Sequence, residues 1–319
     1  MKILAIQNRM GIGDMIIFLP FIEAIAKKHQ SPISILVKEN SKAEEYLLKN
    51  KYIENIILLE RNGKNGKHDG ILGSYKLIKN LKKHKFKKVY IFNSSLRYYL
   101  VAKMAGIKNI YQYPLFAKKE QHVINAAKNF IKLKLGEEVE SNPSLNLNIN
   151  EIQTAKEIYK IKDNQTNILL GIGGSGPTKR IPAEKFIKFM EMATQQNNCK
   201  FFLATGPKDE EQIILNQILN SKFKEKCISL DKLKIKETLP IIKNCKIAIC
   251  NDSSFSHLSA ALGIPTIVLM SDTPLLYGSY SPRMHPVIPD GEENVKHNTL
   301  GKEKINPEKI FNLFNKLIN

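Results

Sequence analysis

The chain has 319 residues, 43% of them hydrophobic and 8% aromatic, a composition typical of a globular protein with room for two domains of about 150 residues. It has no run of about 20 apolar residues and no N-terminal signal pattern, which argues against a membrane-spanning or secreted protein and predicts a cytoplasmic one. The formal net charge of +19 favours an anionic partner.

This charge is unevenly distributed. Residues 1–150 carry 26 Lys and Arg against 12 Asp and Glu, a net charge of +14, and residues 151–319 carry 23 against 18, a net charge of +5. Seven lysines lie between Lys76 and Lys88. Lipid headgroups or a phosphorylated acceptor would suit this segment, and a plain solvated face remains an alternative. Nucleic acid is disfavoured, because no nucleic-acid motif is present and no aromatic residues alternate with the lysines.

The first half of the chain alternates short, Ile- and Val-rich runs with segments of helical spacing. Strands are predicted at 2–7, 33–38, 54–59, 87–92 and 109–112, and helices at 14–29, 41–50, 72–84, 95–105 and 120–135. Continuously apolar strands that alternate with helices indicate a parallel sheet covered on both faces. The glycine-rich segment 61–70 follows the third strand and is predicted to be a mobile loop, either on the acceptor side of a site or simply on the surface.

The segment 136–150 loses this periodicity, and we place the domain junction there, between domains 1–150 and 151–319. The second half repeats the alternation. Strands are predicted at 166–172, 200–205, 226–229, 245–250 and 265–270, and helices at 151–161, 183–197, 208–220, 236–243, 254–262 and 306–319. The fold class is therefore α/β, with two Rossmann-like domains.

The cysteines all lie in the second half, in or beside apolar runs, and neither a CxxC motif nor a His/Cys cluster occurs. Reduced core thiols are expected, and no metal site is predicted.

A glycine turn, G-I-G-D-M-I-I-F-L-P, joins the first strand to the first helix. Such a turn could bind phosphate through free backbone N–H groups. Asp14, however, places a negative charge where the phosphate would lie.

A second glycine run, Gly171 to Gly176, matches G-x-G-x-x-G after a strand, yet a dinucleotide site is disfavoured. Pro177 and Pro182 keep the chain out of a helix, and no acidic residue ends the next strand at the place where a ribose would bind. Ser175, Thr178 and Lys179 offer two hydroxyl groups and a cation that suit a diphosphate, unless the segment is only a surface loop.

Two further segments carry candidate residues. Glu210 lies in the first turn of a predicted helix, where it either stabilises the helix or accepts the hydroxyls of a ribose. In I-A-I-C-N-D-S-S-F-S-H-L-S-A-A-L-G-I-P, Ser253 and Ser254 crowd a helix N-terminus that could bind an anion. Asp252 is either a helix cap or a site residue, and His257 is either structural or functional.

Together, G-I-G-D-M-I-I-F-L-P, G-S-G-P-T-K-R-I-P and N-D-S-S-F-S-H-L-S-A-A-L-G-I-P resemble glycosyltransferase family 9, which includes the ADP-heptose:lipopolysaccharide heptosyltransferases. The resemblance covers nearly the whole chain and implies the GT-B architecture, with two Rossmann-like domains whose parallel sheets face each other across a cleft. It implies acceptor binding by domain 1–150 and nucleotide-sugar binding by domain 151–319. It also implies inversion at the anomeric carbon, without a metal ion or other cofactor.

The resemblance assigns roles to individual residues. Asp14 matches the catalytic carboxylate, and Gly11 and Gly13 would give the acceptor clearance. The expected donor-binding residues are Ser175, Thr178, Lys179, Glu210, Leu233 beside adenine, Asp252, Ser253, Ser254 and His257. The sequence departs from the family pattern at Ser254, where the family has glycine, and at Ile181, where tryptophan is common, so the resemblance leaves the identity of the sugar open.

The implied reaction is a direct displacement in which Asp14 takes the proton of the acceptor hydroxyl while Lys179 and the helix start at Ser253 stabilise the departing diphosphate. Heptose from ADP-heptose is the expected donor, and a lipopolysaccharide core or related anionic glycolipid is the expected acceptor. A monomer in peripheral contact with the cytoplasmic face of the inner membrane is expected. The alternatives are a sugar-nucleotide epimerase on the same scaffold and an inactive nucleotide-sugar binding protein.

Overall fold

A computed structural model describes residues 1–63, 65–115 and 122–318. The chain divides into two compact units, Met1–Pro143 and Ser144–Asn319, which we call unit 1 and unit 2. The division lies within the aperiodic segment 136–150. The first two residues of the helix predicted at 120–135 and the last residue of the helix predicted at 306–319 lie outside the described residues.

Unit 1 contains one parallel sheet with helices on both faces. The strands are β1 (Ile3–Gln7), β2 (Ile33–Lys38), β3 (Ile53–Leu59), β4 (Lys88–Ile91) and β5 (Asn109–Gln112), and the helices are α1 (Ile12–Lys28), α2 (Gly70–His84), α3 (Leu96–Met104) and α4 (Val123–Leu135). The strand order is β3-β2-β1-β4-β5, and every pairing is parallel. Helices α2 and α3 pack on one face of the sheet, and α1 and α4 pack on the other.

Unit 2 repeats this architecture with one more strand. Its strands are β6 (Thr166–Gly171), β7 (Cys199–Ala204), β8 (Cys227–Ser229), β9 (Ile247–Asn251), β10 (Thr266–Leu269) and β11 (Met284–Val287). Its helices are α5 (Ile149–Ile158), α6 (Ala183–Gln196), α7 (Asp209–Leu219), α8 (Ile235–Lys243), α9 (Ser254–Ala261) and α10 (Pro307–Ile318). The strand order is β11-β10-β9-β6-β7-β8, again with parallel pairings throughout.

The α/β prediction with two parallel sheets is confirmed. The central strands β1 and β9 are buried along their whole length, which explains why they are apolar at every position but the last. In each sheet the chain first adds strands on one side of the first strand, and it then crosses back and adds strands on the other side of that strand. This topological switch point lies between β1 and β4 in unit 1 and between β6 and β9 in unit 2. Open α/β sheets bind ligands outside the carboxyl ends of the strands at such points.

Two element predictions were wrong. The helix predicted at 41–50 is replaced by two 3-10 turns, Glu39–Ser41 and Ala43–Glu45, which are separated by Lys42 in the left-handed conformation (φ 51°). Buried Ala43 and Leu47 anchor the segment, and the Tyr46 hydroxyl donates to the carbonyl of Ser41 at 2.7 Å. Strand β11 was missed because it contains Pro286, and proline is tolerated here because β11 is an edge strand.

The loop at 61–70 has an internal organisation that its composition did not indicate. The Asp69 carboxylate accepts hydrogen bonds from the backbone N–H groups of Asn62, Gly63 and Gly66 at 2.9–3.2 Å, and Arg61 pairs with it at 3.2 Å. The His68 side chain, which is 1% exposed, accepts the backbone N–H of Glu60 at 3.1 Å. The described residues of the loop are therefore tied to the end of β3. None of the helices within the described ranges is long and apolar enough to cross a membrane.

Candidate functional site

In unit 1 the glycine turn lies at the switch point. Strand β1 ends at Gln7, and α1 begins at Ile12. Gly11 has φ 101°, a conformation that side chains rarely adopt, so the backbone itself requires glycine there. Gly13 lies in the first turn of α1, one residue before Asp14.

Asp14 makes an ion pair that the sequence analysis did not predict. Its Oδ1 accepts from Nε of Arg9 at 2.7 Å, and 18% of the Asp14 side chain and 36% of the Arg9 side chain are exposed. Burial raises the pKa of Tyr113 well above its usual value, although the charge of Arg9 acts in the opposite direction. Burial and Arg9 together lower the pKa of His122. The predicted base is therefore partly exposed and paired with the cation of Arg9.

In unit 2 the G-x-G-x-x-G run packs against neighbouring strands. A Cβ added at Gly171 would lie 2.6 Å from Sγ of Cys250 in β9. The chain then makes a 3-10 turn at Pro177–Lys179, and α6 begins only at Ala183. The helix does not start inside the glycine run, as the two prolines indicated, so the dinucleotide fingerprint is absent from this segment.

Lys179 and Asp252 are brought together at the switch point of unit 2. Lys179 Nζ donates to Asp252 Oδ2 at 2.6 Å, and the Thr273 hydroxyl donates to the same oxygen. The Asp252 side chain is only 7% exposed, against 23% for Lys179. Burial alone would raise the pKa of Asp252, but Lys179, His257 and the hydrogen bonds outweigh it and hold this pKa below its usual value.

His257 extends this network. Its Nε2 lies 4.0 Å from Asp252 Oδ1, and its Nδ1 lies 2.9 Å from the Tyr280 hydroxyl. The two rings stack, with centroids 5.6 Å apart. The side chain is buried and held on both sides, so His257 contributes to the order of the site whether or not it touches a ligand.

The start of α9 provides donors for an anion. Ser253 is the N-cap residue, but its side chain makes no capping hydrogen bond. Its Oγ is buried and has no hydrogen-bond partner among the described residues. Ser254 opens the helix, where backbone N–H groups lack intrahelical acceptors, and the neighbouring hydroxyl of Ser256 donates back to the carbonyl of Ser253 at 2.7 Å. A buried hydroxyl, free N–H groups and Lys179 together can bind an oxyanion.

The other predicted donor residues are placed in different ways. Ser175 is exposed on the glycine loop. The side chain of Thr178 hydrogen-bonds Asp272, and its carbonyl accepts from Ser271 Oγ at 2.8 Å, which ties the 3-10 turn to the segment after β10. Leu233 is partly buried before α8 and lines a surface cavity of about 400 Å³ between α5 and α8.

The carboxylate predicted to bind ribose lies on the surface. The Glu210 side chain is 67% exposed and pairs with Arg180, which also donates to the carbonyl of Gly174 at 3.0 Å. Its neighbour Glu211 is 7% exposed, and Glu211 Oε1 accepts the backbone N–H of Gly174 at 2.8 Å.

Glu211 also explains two glycines of the loops. A Cβ at Gly173 or Gly206 would lie 2.5 Å from one of its carboxylate oxygens. Sequence reasoning missed Glu211, although it is adjacent to Glu210, because nothing in the sequence distinguishes which of the two points inward.

Sequence reasoning also missed Thr273 and Tyr280, because no sequence motif connects the segment that contains them with Asp252. In the described part of the chain, no group of three His, Cys, Asp or Glu side chains could hold a metal ion.

Comparisons with known proteins identify the family and the fold of the chain. In sequence, the chain is 29% identical to lipooligosaccharide heptosyltransferase 2 of Haemophilus influenzae over 116 residues, which is 36% of this chain and about a third (32%) of that protein. In structure, it is similar to a glycosyl transferase family 9 protein of Veillonella parvula (TM-score 0.81, 19% identity, 99% of this chain and 97% of the other).

It is also similar to the ADP-heptose lps heptosyltransferase II of E. coli (TM-score 0.73, 19% identity, 100% of this chain and 98% of the other). At these identities the two structures support the fold, and the fold agrees with the one that the sequence motifs implied. The family model described as glycosyltransferase family 9 (heptosyltransferase) matches residues 75–305. Since that match spans well over half of the chain, the protein belongs to glycosyltransferase family 9.

Proposed function

We propose that the protein transfers heptose from ADP-heptose to an anionic glycolipid acceptor of the lipopolysaccharide type, with inversion at the anomeric carbon and without a metal ion in the catalytic step. It acts as a monomer at the cytoplasmic face of the inner membrane. The observation that carries the proposal is the Lys179–Asp252–His257 network beside the Ser253 hydroxyl, which has no partner among the described residues. Family membership and the names of the relatives support the choice of sugar and acceptor.

The donor diphosphate binds at the switch point of unit 2. The backbone N–H groups at the start of α9 and the Ser253 hydroxyl donate to phosphate oxygens, and Lys179 supplies the positive charge. Asp252 holds the Lys179 ammonium group in place, since their ion pair is largely buried. Glu210 accepts the ribose hydroxyls, Leu233 lies against adenine, and Ser175 closes over the phosphates. Ser254 in place of glycine restricts the approach of the backbone to the diphosphate.

The acceptor is activated at the switch point of unit 1. Gly11 and Gly13 allow the acceptor hydroxyl to approach Asp14, whose carboxylate takes its proton. The new bond joins the acceptor oxygen to the anomeric carbon as the bond from that carbon to the diphosphate breaks. The electron pair leaves with ADP, and Lys179 stabilises the negative charge that develops there.

A nucleotide-binding experiment tests the donor half of the proposal. ADP, GDP and UDP are compared by thermal shift, and ADP is expected to stabilise the protein most. By calorimetry, Lys179→Met should bind ADP about tenfold to a hundredfold more weakly, because one charge-assisted hydrogen bond is lost. Lys188→Met is the control, because Lys188 is 60% exposed and pairs with Glu191 on its own helix α6.

Two results would contradict the proposal: no stabilisation by any of the three nucleotides, or unchanged ADP affinity in Lys179→Met. Conversion of a sugar nucleotide without any acceptor would instead identify an epimerase.

A further inference from the structure

The outer surface of α2 combines apolar side chains with lysines. In its first two turns Ile71 is 89% exposed, Leu72 is 78% exposed, and Tyr75 is 61% exposed. Lys76, Lys79, Lys82 and Lys83 follow on the exposed side of the same helix, while Leu77 and Leu81 are buried in the core against the sheet. At 100° per residue, Ile71, Tyr75, Lys79 and Lys82 lie on one face. Along this face, apolar side chains lie toward the N-terminal end of the helix and lysines lie toward its C-terminal end.

Helix α3 packs beside α2 on the same face of the sheet and has a similar surface. Leu96, Leu100 and Met104 follow one another at intervals of four residues and are 39%, 45% and 63% exposed. Lys103 is exposed next to them. We call the exposed residues of the two helices the α2–α3 surface.

The α2–α3 surface has no acidic residue to balance its charge. From Gly70 to Leu115 the sequence contains nine lysines and one arginine, and neither Asp nor Glu. In the described ranges, none of Lys76, Lys79, Lys82 and Lys83 makes an ion pair. Exposed aliphatic groups beside uncompensated cations are typical of a surface that enters the headgroup region of an anionic bilayer.

We propose that the α2–α3 surface docks the protein on an anionic phospholipid bilayer, with Ile71, Leu72 and Tyr75 inserted among the headgroups. A second copy of the chain is a poorer occupant, because self-pairing would bring two uncompensated sets of lysines together. A nucleic acid would match the lysines but leave the aliphatic side chains of Ile71 and Leu72 without a partner. The first turn of α2 follows the loop at the end of β3, so the inserted residues lie at the ligand-binding edge of unit 1. Resting on the proposed function, this position would bring a membrane-embedded acceptor to that edge.

Vesicle binding tests the docking without any sugar donor or acceptor. The wild-type protein is expected to sediment with vesicles of phosphatidylglycerol and phosphatidylcholine, more strongly at low salt, but not with phosphatidylcholine alone. The double variant Ile71→Ser/Leu72→Ser should lower the partition coefficient about tenfold or more. Reversing charge with Lys79→Glu/Lys82→Glu should also lower it about tenfold or more.

Leu133→Ser is the matched control. Leu133 is 75% exposed on α4, which packs on the opposite face of the same sheet, so its loss should leave vesicle binding unchanged. All variants are compared by circular dichroism and by Tm to verify that they fold.

Because the chain contains no tryptophan, a single introduced one reports insertion directly. Fluorescence of Leu72→Trp should shift to the blue when anionic vesicles are added, and fluorescence of Leu133→Trp should not. Three results would overturn the proposal. The first is no binding of the wild type to anionic vesicles, and the second is unchanged binding by the Ile71/Leu72 double variant. The third is lysine-dependent binding to a DNA oligonucleotide, or dimerisation through Ile71 and Leu72, in place of vesicle binding. Since the assay involves no glycosyl transfer, its failure would remove the membrane contact but leave the proposed transfer reaction intact, and loss of transfer leaves the docking intact.

Discussion

Unit 1 and unit 2 share the same strand order around a switch point, but they hold their charged side chains there differently. In unit 2, Asp252 is 7% exposed and is held by Lys179, Thr273 and the nearby His257. In unit 1, Asp14 is 18% exposed, and its partner Arg9 is 36% exposed. A buried pair is costly to break, whereas a partly exposed pair is worth little. We infer that unit 2 has a preorganised anion site, and that in unit 1 Asp14 can leave Arg9 at small cost and meet a substrate.

The largest expected effect concerns unit 1. Asp14→Asn should lower kcat by about 10²–10⁴-fold, because an amide cannot take the acceptor proton. ADP affinity measured by calorimetry should not change, because the proposed nucleotide site belongs to unit 2. Glu23→Gln, on the same helix, is the control and should keep its turnover, since the Glu23 side chain accepts from Asn50 and lies more than two helical turns beyond Asp14. Full turnover in Asp14→Asn would remove the distinction between the two units.

A smaller effect is expected on the stability of unit 2. Asp252→Asn should lower the free energy of unfolding by about 3 kcal/mol at neutral pH, because Lys179 loses its counter-charge in a largely buried site. Asp163→Asn is the control: Asp163 pairs with Lys156 at the same 2.6 Å, but it is 87% exposed, so its loss should cost about 1 kcal/mol or less. Urea unfolding measures both, and equal losses would contradict the contrast in burial.

The Lys179–Asp252 ion pair also predicts that the free energy of unfolding depends on pH. The pKa of Asp252 is lower in the folded protein than its ordinary value of 3.8, so the folded state favours the ionised form. Its stabilisation is complete above the unfolded-state pKa and is lost as the pH falls through the lower folded-state pKa. The difference in unfolding free energy between the wild type and Asp252→Asn should therefore be constant from neutral pH down to about pH 5 and should shrink below about pH 4.

The smallest expected effect distinguishes ligand binding from structure at α9. Ser253→Ala should weaken ADP binding about threefold to tenfold, yet change the free energy of unfolding by less than about 0.5 kcal/mol, because its hydroxyl has no protein partner in the described residues. Ser256→Ala should instead lower stability by about 1 kcal/mol, because its hydroxyl donates to the carbonyl of Ser253. If Ser253→Ala and Ser256→Ala changed ADP affinity and the free energy of unfolding equally, the Ser253 hydroxyl would have a structural role.

Most elements of the fold followed from periodicity. Buried strands such as β1 and β9 are apolar at every position but the last, so a local pattern reveals them. The helix prediction at 41–50 was wrong because the buried apolar residues of this segment, Ala43 and Leu47, anchor 3-10 turns instead of one side of a helix. Strand β11 failed because its pairing with β10 is non-local, and Pro286 argues against a strand unless the edge position is known.

The candidate site was predictable only in part. The strand-to-loop positions of Asp14, Lys179 and Asp252 can be read from the sequence, because parallel strands bring their carboxyl ends to one edge. The particular contacts cannot. The α2–α3 surface likewise could not be predicted from the sequence, because its identification depends on which side chains are exposed. The sequence shows the lysines between Lys76 and Lys88, but it does not show that Ile71 and Leu72 lie on the surface.

The sequence by itself determined the two parallel sheets, the glycine turns and the motifs that place the protein in its family, because these depend on local periodicity and on residue types at short spacing. Tertiary structure alone decided that Glu211 is buried while Glu210 lies on the surface, that Thr273 and Tyr280 join Asp252 and His257, and that Arg9 pairs with Asp14. The physical reason is that charge pairing and burial depend on which side chains meet in space, and segments distant in sequence provide most of those partners.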